Sequence, residues 1–112
     1  MNAMLKTCCT SCTECRTMCL QTMQVCLRKG GKLADAKLCA MLAECAQMCQ
    51  ICSDCCTTDS DNCAQIAAAC AKLCELGAQR CDGMTEPELS KCAEALRRCA
   101  KACKTVCEKT VC

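Results

Sequence analysis

Residues 8–19 read CCTSCTECRTMC, so that Cys8, Cys12, Cys15 and Cys19 follow one another in steps of four, three and four. That spacing lines side chains along one stripe of an α-helix, whereas a strand would alternate them between two faces. The stripe extends to Cys26 and then recurs downstream. Cys45, Cys49, Cys52 and Cys56 form a second run, Cys63, Cys70, Cys74 and Cys81 a third, and Cys92, Cys99, Cys103 and Cys107 a fourth. Helix bundles normally bury Leu and Ile at such positions. Thiols there predict an all-α fold whose interior is lined with sulfur.

The segments between the stripes read as turns. Helix one is predicted from about Met4 to Lys29, stopped by Gly30 and Gly31, with Arg28 and Lys29 at its negative end. Helix two starts with Asp35 as N-cap and runs to about Thr57, and residues 57–62, TTDSDN, are a turn rich in capping side chains. Helix three covers about Asp61 to Arg80. Thr85 and Glu88 form a capping box around Pro87 that opens helix four. Short connections force neighbouring helices antiparallel, giving one up-down-up-down four-helix bundle over residues 1–112. Leu38, Leu42, Ala67, Gly77, Leu89 and Leu96 fall on the same stripes as the cysteines, and alanines beside them let the helices approach. This order predicts an end layer of Cys8, Cys56, Cys63 and Cys107. Cys12 and Cys15 lie mid-bundle near Cys49, Cys52, Cys70, Cys99 and Cys103, with Cys19, Cys45 and Cys74 beyond. Cys26, Cys39, Cys81 and Cys92 close the far end. Cys9, Cys55 and Cys112 fall off the seam or beyond it.

Composition removes several classes of function. Fourteen Lys and Arg against twelve acidic residues give no basic field, and with no aromatic residue there is no stacking surface for bases. Histidine is absent, so neither a Ser/His nor a Cys/His catalytic pair can form, and the reading is a non-enzyme. The apolar run Ile66 to Ala71 is far shorter than the roughly 20 residues that span a membrane. The N-terminus lacks a secretory pattern, and a cytoplasmic location that keeps thiols reduced is expected.

Twenty-one cysteines exceed what packing explains, because small thiols bury little apolar surface. A disulfide-bonded or redox-buffering helical protein is one alternative, although cysteines at i and i+4 stand too far apart for easy bridging. Zinc or iron–sulfur binding is another. Zinc prefers isolated four-sulfur cages and iron–sulfur clusters usually draw on loop motifs. Cu(I) accepts two or three bridging thiolates, and one copper per thiolate makes a neutral unit that a dry core can hold. Pairs such as Cys8/Cys12, Cys15/Cys19, Cys70/Cys74 and Cys99/Cys103 suit it best.

With its C-x3-C and C-x2-C-x3-C steps, the Gly-Gly break after Cys26-Leu-Arg-Lys and a Cys/Ala-rich fourth helix, the chain resembles the bacterial four-helix-bundle copper storage proteins over nearly its whole length. The resemblance implies a homotetramer of bundles, Cu(I) stored in quantity on inward thiolates, a cytosolic site of action and an apo protein that is already folded. A copper chaperone is a candidate partner. Family members often carry His or Met at the bundle mouth. Here Met23, Met41 and Met84 are the candidate admission ligands, with Met1 and Met4 as a weaker alternative at the other end. Leu20, Leu27, Ile51 and Leu76 lie off the cysteine stripes and are candidates for an oligomer surface.

Overall fold

The structure, a computed structural model, describes residues 1–109. Four helices account for most of it: α1 over Ala3–Lys29, α2 over Ala36–Thr58, α3 over Cys63–Asp82 and α4 over Pro87–Lys109. A short 3-10 turn, Gly31–Ala34, joins α1 to α2. Each helix packs on two neighbours, α1 and α3 both against α2 and α4, so the sequence order runs around a square. The bundle is a rod of 44 × 19 × 19 Å. Its length is that of α1 alone, since 27 residues rise about 40 Å at 1.5 Å each.

Local chemistry sets the helix ends. The Asn2 side chain accepts from the Leu5 amide at 2.8 Å and starts α1. The Asp35 side chain accepts from the Leu38 amide at 2.9 Å, as its position before the second stripe predicts. Gly30 and Gly31 take φ of 70° and 60°, and the Gly30 amide donates to the Cys26 carbonyl at 3.0 Å. This left-handed turn ends α1 where the sequence places its break. At the next turn Asp59 adopts φ 51° and its amide donates to the Cys56 carbonyl. Two boundaries differ from expectation. Helix α3 begins at Cys63 rather than near Asp61, because Asp61 and Asn62 are spent in the turn. Helix α4 begins at Pro87, with the Glu86 carbonyl accepting from Leu89 and Ser90, so the cap position falls at Glu86 and not at Thr85. Proline favours the first helical position, which sets the start one residue later than a Thr85 cap would.

The core consists of the cysteine stripes with Leu5, Leu38, Leu42, Leu89, Leu96, Val106 and small alanines. Ala46, Ala71, Ala78 and Ala100 are buried between helices, while Ala102 is half-buried. At Gly77 an added Cβ would lie 2.9 Å from the Cys45 sulfur and 3.3 Å from Leu96 Cδ1, so α2 and α4 close on α3 there because that residue is glycine. Surface ion pairs add little by comparison: Lys29 with Glu86 and Glu88, Arg97 with Asp82, and Lys104 with Glu75 are all exposed or nearly so.

Candidate metal site

The middle of the bundle is a continuous block of thiols. Cys8 Sγ stands 4.0 Å from Cys12, 3.9 Å from Cys52 and 3.7 Å from Cys103. Cys99 Sγ lies 3.6 Å from Cys12, 3.8 Å from Cys49 and 4.0 Å from Cys103. Within single helices Cys15 and Cys19 are 4.0 Å apart, and Cys70 and Cys74 are 3.9 Å apart. These separations are about twice a disulfide bond of roughly 2.05 Å. They match two sulfurs sharing one metal, which at about 2.3 Å per bond stand close to 4 Å apart in trigonal or tetrahedral geometry.

Three sets of four sulfurs lie mutually within 4.8 Å: Cys8, Cys12, Cys52 and Cys103; Cys12, Cys49, Cys70 and Cys99; and Cys15, Cys49, Cys74 and Cys99. Cys12 belongs to the first two, and Cys49 and Cys99 to the last two. A fourth set, Cys52, Cys55 and Cys56, shares Cys52 with the first. Thiolate sulfur bridges metals readily, so shared sulfurs turn these sets into one extended array instead of separate cages.

Further along, Cys92 interacts with Cys19 and Cys81 and with the Thr22 hydroxyl. Thr22 is the buried polar side chain of the core, 2 % exposed, and the sequence reading passed over it. Its place three residues after Cys19 and four before Cys26 is the signal that sets it on the stripe.

Several residues sit elsewhere than the sequence reading places them. Cys8 neighbours Cys56, as the end layer predicts, but also stands beside Cys52 and Cys103, expected mid-bundle. Cys55, read as off the seam, is buried, and its C-x2-C step from Cys52 is the signal that could have placed it. Cys63 donates to the Cys55 carbonyl at 2.9 Å and so belongs to the same end. Cys45 is fully buried, yet its thiol donates to the Leu73 carbonyl at 3.6 Å and stands outside the four-sulfur sets. Cys39 and Cys107 are half-buried. Cys26 is buried at the far end. Cys9 is half-buried between α1 and α2, its sulfur 3.3 Å from the Ser53 hydroxyl. Cys112 lies outside the described residues. Met23, Met41 and Met84 are half-buried and pack on the core, at the end where Leu38, Leu42, Leu89 and Leu96 are fully buried.

No Lys, Arg, Asp or Glu enters this core among the described residues, so only protons or metal ions can balance thiolate charge. Burial pushes the Cys55, Cys56 and Cys26 thiols up from their ordinary range. In the central block Cys52, Cys70 and Cys99 are held below it, first by the hydrogen bond with Cys103 and then by that with Cys12. A thiolate in this block accepts hydrogen bonds from neighbouring thiols, which suits exchange of protons for soft cations.

A family model described as copper storage protein matches residues 1–108. Among solved structures, a Cu(I)-bound copper storage protein, BsCsp3, is 25% identical, with 93% of this chain and 98% of that one covered and a TM-score of 0.88. Apo-Csp3 (copper storage protein 3) from Bacillus subtilis is 26% identical over 91% of this chain and 97% of that one, with a TM-score of 0.82. A protein of Nitrosospira multiformis shares the fold at 24% identity, with a TM-score of 0.91 over 98% of this chain and 100% of that one. Among curated proteins, none matches the chain.

Proposed function

This chain belongs to the copper storage protein family, and from that premise we propose that its thiol core is a store that holds many Cu(I) ions as cargo. The observation that carries the reading is the overlap of the sulfur sets through Cys12, Cys49, Cys52 and Cys99 in a core without a counter-charge. Thiolates select soft cations, and without His or a core carboxylate nothing in the array favours harder ones. Zn(II) in four-thiolate cages would leave two negative charges per ion in a dry interior, whereas Cu(I) neutralises its thiolates one for one. The proposed storage ligands are the buried seam cysteines, with the nine sulfurs of the three four-membered sets at the centre. The family match supports a storage role over catalysis.

The test is an anaerobic titration of the fully reduced chain with Cu(I) against a strong coloured chelator. Uptake on the order of 15 to 20 ions per chain is expected from one soft ion per core thiolate. Saturation at four or five ions, with Zn(II) competing equally, would replace the store with isolated tetrathiolate sites.

Partners and place follow as finer proposals. Among the described residues no helix is long and apolar enough to cross a membrane. A reducing, cytoplasmic setting suits an array that works only as thiols, and a copper chaperone would serve as donor. For assembly, Leu27, Ile51 and Leu76 are 56%, 50% and 44% exposed, while Leu20 is half-buried. Ile66, Ala69, Leu73 and Leu76 follow three-and-four spacing on the outside of α3, a seam fit for a second copy. A homotetramer is expected, and light scattering that returns the single-chain mass of 12.0 kDa would exclude it. Met23, Met41 and Met84, the entry ligands expected from the sequence, are half-buried at the end that holds Leu38, Leu42, Leu89 and Leu96 together with Cys26, Cys81 and Cys92.

A further inference from the structure

The two ends of the rod differ in chemistry. At the end formed by the α1–α2 and α3–α4 turns, Leu38, Leu42, Leu89 and Leu96 are 0% exposed and pack among Cys26, Cys81 and Cys92, and among the described residues no three sulfurs there stand within 4.8 Å of one another. At the opposite end, in the last turns of α2, Cys52, Cys55 and Cys56 bring three sulfurs within 4.8 Å of one another. All three come from a single helix, so an ion can be gripped there without moving one helix against another. Cys55 retains 5% exposure, while Cys52 and Cys56 have none.

We infer that Cys55, with Cys56 and Cys52, is the loading site of the store, and that Cys52 hands each ion on to the central array. This rests on the storage reading above. Two observations support it. Cys52 belongs both to this set and to the set of Cys8, Cys12 and Cys103, and the chain of shared sulfurs continues through Cys12, then Cys49 and Cys99, to Cys15 and Cys74. An ion can therefore travel the block by ligand exchange and never leave sulfur. The Cys55 thiol donates to the Cys52 carbonyl at 3.1 Å, and the Cys63 thiol to the Cys55 carbonyl at 2.9 Å. Binding a metal at Cys55 gives up the first of these bonds, which makes the site a weaker holder than the sulfur-only interior. Weak at the rim and strong within is the order a one-way filling path needs.

The step involves no redox change. Copper stays Cu(I), one copper–sulfur bond to Cys55 forms as one bond to the donor breaks, and the Cys55 thiol proton leaves to the donor or to buffer.

The experiment follows transfer of Cu(I) from its coloured bicinchoninate complex to reduced apo full-length chain, as Cys55→Ala and Cys55→Ser variants whose helicity is checked beforehand. Transfer should slow by about tenfold or more, the size of effect that loss of one path ligand produces. Final capacity should fall by no more than about one ion, because the interior thiolates are untouched. Unchanged rates in both variants would overturn the assignment. So would a loss of several ions, which would make Cys55 an interior bridge, or a slowing seen only when Met23, Met41 and Met84 are together changed to Leu. Failure of the unsubstituted chain to take up copper at all would sink the storage reading itself, an outcome readily told apart from the others.

Discussion

Replacing Cys12, Cys49 and Cys99 together by alanine should remove far more copper than three ions, cutting a capacity on the order of 15 to 20 to roughly half. Each of these sulfurs is a corner of two four-membered sets, so its loss leaves two groups of ligands incomplete at once. Removing all three leaves the set of Cys12, Cys49, Cys70 and Cys99 with Cys70 alone, and the set of Cys15, Cys49, Cys74 and Cys99 with two sulfurs. A matched variant lacking Cys9, Cys26 and Cys39, which lie outside those sets, should lose no more than about three ions on the same argument. Cysteine to alanine removes only one sulfur's volume per site, and circular dichroism should show both apo variants still helical. The measurement is anaerobic Cu(I) titration of the two triple variants side by side. Equal losses would mean that each thiol acts alone and that sharing of sulfurs has no part in storage.

Copper loading should raise the melting temperature by more than about 20 °C. The apo core is filled by cysteine and alanine with few large side chains, so it has little apolar surface to hold the folded state. Metal binds the folded array and not the open chain, so its binding free energy adds to stability. A site exposed to ion at a thousand times its dissociation constant adds about 4 kcal/mol, and several such sites act together. For a chain of this size each kcal/mol moves the midpoint by about 4 °C. Calorimetry of apo and loaded protein at equal concentration is the check. Coincident transitions would show that copper, if bound, sits outside the core.

How much of this was legible beforehand depends on which geometric variable a sequence encodes. Three-and-four spacing of Cys8, Cys12, Cys15 and Cys19, repeated in three further runs, gives the angular position of every cysteine about its own helix. With Gly30, Gly31 and Asp35 as terminators, that was enough for four helices, antiparallel order and a sulfur-lined interior. The softness of the ligands pointed to the metal, since chemistry resides in residue type. Axial position is different. One helical turn rises about 5.4 Å, and sliding a helix by that amount keeps its stripe facing inward while exchanging all its partners. Only tertiary packing decided that Cys8, beside the Cys56 expected in its layer, also meets Cys52 and Cys103. The same packing buried Cys55 by folding the α2–α3 turn over it, gathered four leucines at the methionine end, and brought α2 onto α3 at Gly77. Periodicity repeats every turn and so cannot distinguish one register from the next, whereas side chains of unequal size interlock in only one.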